Sequence, residues 1–250
     1  MNAIENSSPE DALGPPRSDI VSVGLSSLAS VVAGFVGGVF MLVCSLFFLA
    51  GVQDAAPAMF PYILSIVAFV AILISSALAF YLQTLIFPQK YRGGVSQATQ
   101  TFLFSLLLYL VFTPLYVAVG SSRTDFLMMV FVMHVLINIL GTTLIVEILS
   151  NYRYSLLSVY ASFLGFFVAV FASVVFFLHA TVSDKILYPL SLVLVLAFFL
   201  TTTFRTLFEL GYYYLYTISG QDILGNVFKQ IEDEERYNEK LAEKTLTTFQ

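Results

Sequence analysis

Six long apolar stretches alternate with short polar stretches along the chain, and this pattern predicts six membrane-spanning helices. A helix needs about 20 mostly apolar residues to cross the hydrocarbon core of a bilayer. The six stretches are long enough, and they cover about residues 20–51, 58–87, 101–120, 126–149, 156–182 and 186–210. Because the connections between them are short, we predict a compact helical bundle with no folded domain between the spans.

Composition supports a location in the membrane. Hydrophobic residues make up 58% of the chain and charged residues 11%, compared with about 25% charged residues in a typical soluble domain. In water, a surface with so few charges would expose large apolar patches. The sequence therefore predicts an all-α integral membrane protein, a six-transmembrane-helix bundle that contacts the lipid bilayer.

The two ends of the chain differ from its apolar middle. Residues 1–19 are polar, include two consecutive prolines and carry a net charge of −3, which predicts a disordered arm. Residues 221–250 also carry a net charge of −3, and their apolar residues recur at helical spacing: Ile223, Leu224, Val227, Phe228 and Ile231. We therefore predict a six-helix domain over residues 20–217, followed by an acidic tail, residues 218–250, with a C-terminal amphipathic helix.

The distribution of lysine and arginine predicts the orientation of the bundle. Five basic residues flank one side and two flank the other: Arg17, Lys90, Arg92, Arg153 and Arg205 against Arg123 and Lys185. Basic residues are enriched on the cytoplasmic side of membrane proteins. We therefore predict a multi-pass cell-membrane protein with both termini in the cytoplasm, where the arm and the C-terminal helix also lie.

Tyrosines near the predicted inner edge recur at a fixed interval. Tyr91, Tyr152 and Tyr213 are each separated by 61 residues. Three helical hairpins of one kind would produce this spacing. Enrichment of tyrosine at the membrane interface would also produce it, so the sequence leaves both explanations open.

Small residues recur every four positions in two of the predicted spans. The first span contains Ser26, Ser30, Gly34 and Gly38, and the fifth contains Ala161, Gly165 and Ala169. Small faces allow helices to approach closely in lipid, where the hydrophobic effect does not drive helices together. We predict that these residues pack helices against one another. The alternative is that the serines of the first span line a polar path.

The fourth predicted span contains the polar residues nearest the middle of the membrane. His134, Asn138 and Thr142 are spaced by four residues, which places them on one face of a helix. Hydrogen bonds from these side chains to a neighbouring helix would hold the bundle together. Alternatively, they form a midplane site that binds a polar ligand or relays a proton.

A second polar group is predicted at the cytoplasmic edge of the hydrocarbon. Glu147 lies near the end of the fourth span, and Arg205 and Glu209 lie near the end of the sixth. With a rise of about 1.5 Å per residue, the two span ends reach nearly the same depth. We predict an ion-pair network in which Arg205 bridges Glu147 and Glu209. A long arginine side chain at this depth could also extend to the lipid headgroups.

Common catalytic motifs are not found in the sequence. It contains no HExxH, CxxC or GxSxG motif and a single cysteine, Cys44, so we predict no catalytic residue, no metal site and no cofactor. No basic patch suggests nucleic-acid binding. The first hypothesis is a non-enzymatic scaffold, assembly or accessory subunit that binds a membrane or cytosolic protein through residues 221–250. The alternative is a small transporter or permease subunit with its site at His134 and Asn138. Neither a substrate nor an oligomeric state can be predicted.

Overall fold

The structure confirms the helical fold class and the number of apolar helices. It is a computed structural model that describes residues 15, 18–56, 58–88, 91, 94–120, 124–150, 152–179 and 187–248. Within these residues the protein is helical and contains no β-strand. Six of its helices are long and apolar enough to cross a membrane. The predicted disordered arm falls almost entirely outside the described residues.

The helices follow one another with short connections. The first, α1, spans Ile20–Cys44 and continues through a π-helical segment, Ser45–Leu49, into the short helix α2, Ala50–Ala55. The other five long apolar helices are α3 (Phe60–Ile86), α4 (Gly94–Val119), α5 (Thr124–Ser150), α6 (Tyr152–His179) and α7 (Leu187–Ser219). A last helix, α8, spans Ile223–Thr248 in the charged part of the chain.

Two helices extend beyond the apolar stretches that predicted them. α4 begins at Gly94 instead of near residue 101, and α7 continues to Ser219 instead of ending near residue 210. The additional turns of α4 are polar, and Thr99 and Thr101 donate hydrogen bonds to carbonyls of their own helix. Apolar composition marks the hydrocarbon core, whereas the helical backbone continues past it. α7 stops where Gly220 takes a φ of +66°, a conformation common after helix ends.

The six long helices form a closed ring in which each packs against the next along the chain. α1 and α7 close the ring and share its most extensive contact, and α5 also packs against α3 and α7. Large apolar side chains fill the interior, including Met41, Ile72, Phe131, Leu136 and Leu194. α7 therefore contacts α1, α5 and α6.

Small residues bring α7 close to two of its neighbours. A Cβ atom added to Gly34 of α1 would lie 2.7 Å from the Cα of Val195 in α7. A Cβ atom added to Gly165 of α6 would lie 2.8 Å from the Cα of Thr201. The other small residues singled out in the sequence are also buried: Ser26, Ser30, Gly38, Ala161 and Ala169.

The serines of α1 form hydrogen bonds between helices. Ser30 Oγ donates to Thr202 Oγ1 of α7 over 2.8 Å, and Thr203 Oγ1 of α7 donates to Ser27 Oγ over 2.9 Å. Ser26 exchanges two hydrogen bonds of 3.2 Å with the Gln83 amide of α3. These serines therefore join α1 to α3 and α7 by hydrogen bonds.

Candidate functional site

A buried ion pair joins α5 and α7 at the predicted inner edge of the bundle. Arg205 Nη1 contacts Glu147 Oε1 in an ion pair, and both side chains are buried. Tyr91, in the connection between α3 and α4, donates its hydroxyl proton to Glu147 Oε1 over 3.0 Å and accepts from Arg205 Nη1 over 3.1 Å. We call Tyr91, Glu147 and Arg205 the ion-pair cluster. It ties together three separate segments of the chain.

The structure shows the surroundings of Arg205. The residue is only 4% exposed, so its guanidinium lies inside the bundle and does not extend out of it. Among the described side chains its ion pair is with Glu147, whereas Glu209 accepts a hydrogen bond from Ser158 of α6 over 3.0 Å. The predicted bridge from Arg205 to Glu209 stays a prediction. Arginine four residues before glutamate is the less favourable order for such a pair along one helix.

A second polar cluster fixes the start of α8. The hydroxyls of Tyr154 in α6 and Tyr212 in α7 both donate to the Asp222 carboxylate, the latter over 2.6 Å. Asp222 Oδ1 also accepts from the Gly225 backbone N–H over 2.9 Å. Tyr212 in turn accepts from the Leu224 backbone N–H over 2.9 Å. We call Tyr154, Tyr212 and Asp222 the α8 anchor, because Asp222 caps α8 and ties it to α6 and α7.

The anchor gives α8 one face toward the bundle and one face away from it. Phe228 and Gly225 are buried. Ile223, Val227 and Ile231 are 59%, 43% and 44% exposed. Their spacing of four residues places them on one side of the helix as a continuous apolar row. We call these three residues the exposed row of α8.

His134 and Asn138 are fully buried and face α4. Nδ1 of His134 lies 3.4 Å from the Tyr116 hydroxyl, and the imidazole ring is stacked on Phe112 with 4.8 Å between ring centroids. Ser105 Oγ donates to Asn138 Oδ1 over 3.2 Å. Within the described residues, the hydrogen bonds and ring contacts of both side chains are thus to α4, and none joins His134 to Asn138. Within the described residues, His134 Nε2 and Asn138 Nδ2 have no hydrogen-bond partner.

Thr142, the third residue predicted on this face, has a different role. Its hydroxyl donates to the backbone carbonyl of Asn138 over 2.8 Å and also contacts the carbonyl of Ile139. A hydroxyl bonded to its own helix needs no partner on a neighbouring one. The polar pair at this site is therefore His134 and Asn138.

The structure also contains functional candidates that were not predicted. Tyr91 belonged to the 61-residue series of tyrosines, but its contact with the ion pair could not be inferred from that spacing. Asp222 carried a clearer signal, because an aspartate between a glycine and an apolar helical pattern is typical of a helix N-cap. Tyr154, Tyr212 and Ser105 had no comparable signal, since their partners lie on other helices.

Neither the described residues nor the comparisons with known proteins assign an activity. No three His, Cys, Asp or Glu side chains in the described part of the chain are grouped to hold a metal ion. Comparison of the chain with protein-family models, curated proteins and solved structures finds no match. Its function is therefore inferred from its own sequence and geometry.

Proposed function

We propose that this protein is a non-enzymatic scaffold, assembly or accessory subunit of the cell membrane that binds a protein partner through α8. The observation that carries the proposal is the exposed row, Ile223, Val227 and Ile231, on a helix whose start is held by Asp222. Apolar side chains at spacings of about one helical turn are the usual anchors when a helix docks into a partner's groove.

The α8 anchor supports this role because it limits the cost of binding. A helix that is already folded and oriented loses less conformational freedom on association than a disordered segment. Asp222 caps α8, and its two tyrosine partners belong to α6 and α7. The bundle then serves as a rigid base that presents the exposed row in one orientation.

Charge favours a protein partner over the lipid surface. The cytoplasmic leaflet is negatively charged, and residues 221–250 carry a net charge of −3. The excess of basic residues on one side of the bundle supports a topology with both termini in the cytoplasm. In this topology the anionic leaflet repels the acidic residues that follow the exposed row, which favours a protein over lipid as the partner of α8.

A comparison of two double variants tests the proposal. Val227→Asn with Ile231→Asn removes two apolar side chains of the exposed row. Lys229→Asn with Asp233→Asn changes two exposed residues on the opposite side of α8 and leaves the net charge unchanged. Each full-length variant is purified in mild detergent, and the proteins that co-purify are quantified against wild type by mass spectrometry.

We expect the first variant to lose at least one stoichiometric protein that the wild type and the second variant retain. Reciprocal purification of that protein should recover the wild-type chain and not the Val227 and Ile231 variant. Equal recovery of all proteins by the two variants would contradict docking through this row. The mass of each detergent complex distinguishes a different partner from a second copy of the chain.

A further inference from the structure

On the face of α5 that packs against α4, two buried polar atoms have hydrogen-bonding capacity that the described chain does not use. They are His134 Nε2 and Asn138 Nδ2, which lie one helical turn apart on the same face of α5. Leaving such a group without a partner in an apolar medium costs several kcal/mol. Native structures leave only a few buried polar groups unsatisfied in about 100 residues. Two such atoms one helical turn apart on one helix face are therefore a candidate place for a ligand.

Both atoms are hydrogen-bond donors. Asn138 Oδ1 accepts from Ser105, so the free end of its amide is the NH₂ group. Tyr116 is fully buried, and its hydroxyl proton is satisfied when it is donated to His134 Nδ1. A neutral imidazole that accepts at Nδ1 carries its proton on Nε2. The site therefore offers two donors, and its ligand must supply an acceptor oxygen.

The surroundings of the two donors favour an uncharged ligand. The side chains that contact them from α4 are Ser105, Phe112 and Tyr116, none of which carries a charge. Among the described residues, the arginine buried in the bundle is Arg205, and it is already in an ion pair with Glu147. A buried anion with no balancing cation would be costly in the membrane. A neutral carbonyl oxygen satisfies the donors without that cost.

The helix that covers the site, α4, has an exposed apolar side. His134 and Asn138 have no exposed surface, so a ligand reaches them only when the side chains or the helix around them move. The extensive contacts of α4 are with α3 and α5, and many of its large side chains are exposed, among them Leu107, Leu110, Val111 and Leu115. Pro114 lies inside α4 between Phe112 and Tyr116, and a proline there removes one helical hydrogen bond and allows the helix to bend.

The geometry points to a binding site at His134 and Asn138 for an uncharged, lipid-soluble molecule whose carbonyl oxygen accepts hydrogen bonds from His134 Nε2 and Asn138 Nδ2. Phe112 and Tyr116 flank the donors and supply apolar and aromatic contact. The site does not depend on α8 or on a protein partner, so the experiment that tests it is independent of the one that tests the docking role.

Binding of paired probes to the full-length protein in lipid nanodiscs tests the site. The carbonyl probes are tetramethyl-1,4-benzoquinone and 2-undecanone, and their hydrocarbon counterparts are tetramethylbenzene and undecane. Affinity is measured by calorimetric titration for wild type, His134→Phe, Asn138→Leu and Thr142→Val. Thr142→Val is the matched control, because the Thr142 hydroxyl bonds only to carbonyls of its own helix.

We expect wild type and Thr142→Val to bind at least one carbonyl probe more tightly than its hydrocarbon counterpart. His134→Phe and Asn138→Leu should each weaken that binding about tenfold, the effect of losing one hydrogen bond. If His134→Phe does not fold, Asn138→Leu still decides. It removes the free donor together with the acceptor of the Ser105 hydroxyl, so Ser105→Ala, which removes only that hydroxyl, is its control and should bind like wild type. The proposal is overturned if neither carbonyl probe binds better than its hydrocarbon, or if both site variants bind like wild type. A high-resolution structure with only water at the two nitrogens, after soaking with both probes, would also overturn it.

Discussion

Arg205 of α7 and Glu147 of α5 form an ion pair whose side chains are only 5% and 2% exposed. Such a pair is costly to desolvate, and its charges are balanced only while both partners are present. Tyr91 lies between them and exchanges hydrogen bonds with both. The cluster therefore couples the position of α7 to that of α5. We expect substitution of one charged partner alone to lower the stability of the bundle much more than substitution of both together.

Replacing one partner of the ion pair should destabilise the bundle strongly. Glu147→Gln leaves the Arg205 charge buried without its carboxylate, and we expect a loss of about 3–5 kcal/mol in the free energy of unfolding. The double variant Glu147→Gln with Arg205→Met removes both charges and should recover most of this loss. Unfolding in mixed detergent micelles measures both variants. The buried pairing is contradicted if the double variant loses as much unfolding free energy as Glu147→Gln and Arg205→Met lose in sum.

Removing the Tyr91 hydroxyl should weaken the same cluster by a smaller amount. Tyr91→Phe deletes a group that donates to Glu147 and accepts from Arg205, so we expect a loss of about 1–3 kcal/mol. Tyr81→Phe is the control, because Tyr81 is 59% exposed and lies outside the cluster. It should change stability by less than about 0.5 kcal/mol. Equal effects of the two variants would show that the Tyr91 hydroxyl is not part of the network.

Adding a methyl group at the α7 contacts should separate the helices. Gly34→Ala and Gly165→Ala each place a Cβ atom under 3 Å from the backbone of α7, which no side-chain movement can relieve. We expect each to cost about 1–3 kcal/mol, as overpacking does elsewhere. Gly24→Ala is the matched control in α1, because its added Cβ meets no atom of another helix within 4 Å. This variant should leave the free energy of unfolding unchanged or raise it by up to about 1 kcal/mol. All three variants are compared in the same unfolding assay.

Replacing Asp222 should release the start of α8. Asp222→Ala removes the helix cap and the acceptor shared by Tyr154 and Tyr212, so the first turns of α8 should exchange their amide protons faster. Trypsin should also cleave more rapidly after Lys229. Asp233→Ala changes an exposed carboxylate of the same helix and should leave both rates near wild type. Unchanged exchange in Asp222→Ala would rule out the anchor.

The sequence predicted the spans because the thickness of the hydrocarbon core sets how many apolar residues a helix needs. It also placed Glu147 and Arg205 at one depth, since the helical rise per residue is constant. The partners of other polar residues could not be predicted. His134 bonds to Tyr116, Asn138 to Ser105 and Glu209 to Ser158. The partner of each side chain depends on which helices become neighbours and on how each helix is rotated about its axis. Residue spacing along one helix carries no information about either.

The closure of the ring by α1 and α7 has a consequence for biogenesis. α7 is the last of the six long apolar helices to leave the ribosome, yet it covers Gly34 of α1 and supplies the arginine for Glu147 of α5. Before α7 is inserted, the close-packing face of α1 is therefore uncovered and the carboxylate of α5 lacks its balancing charge. Insertion of α7 completes both contacts at once. Inside the bilayer, a truncated or stalled chain therefore exposes a packing face and a charged group that the finished chain buries.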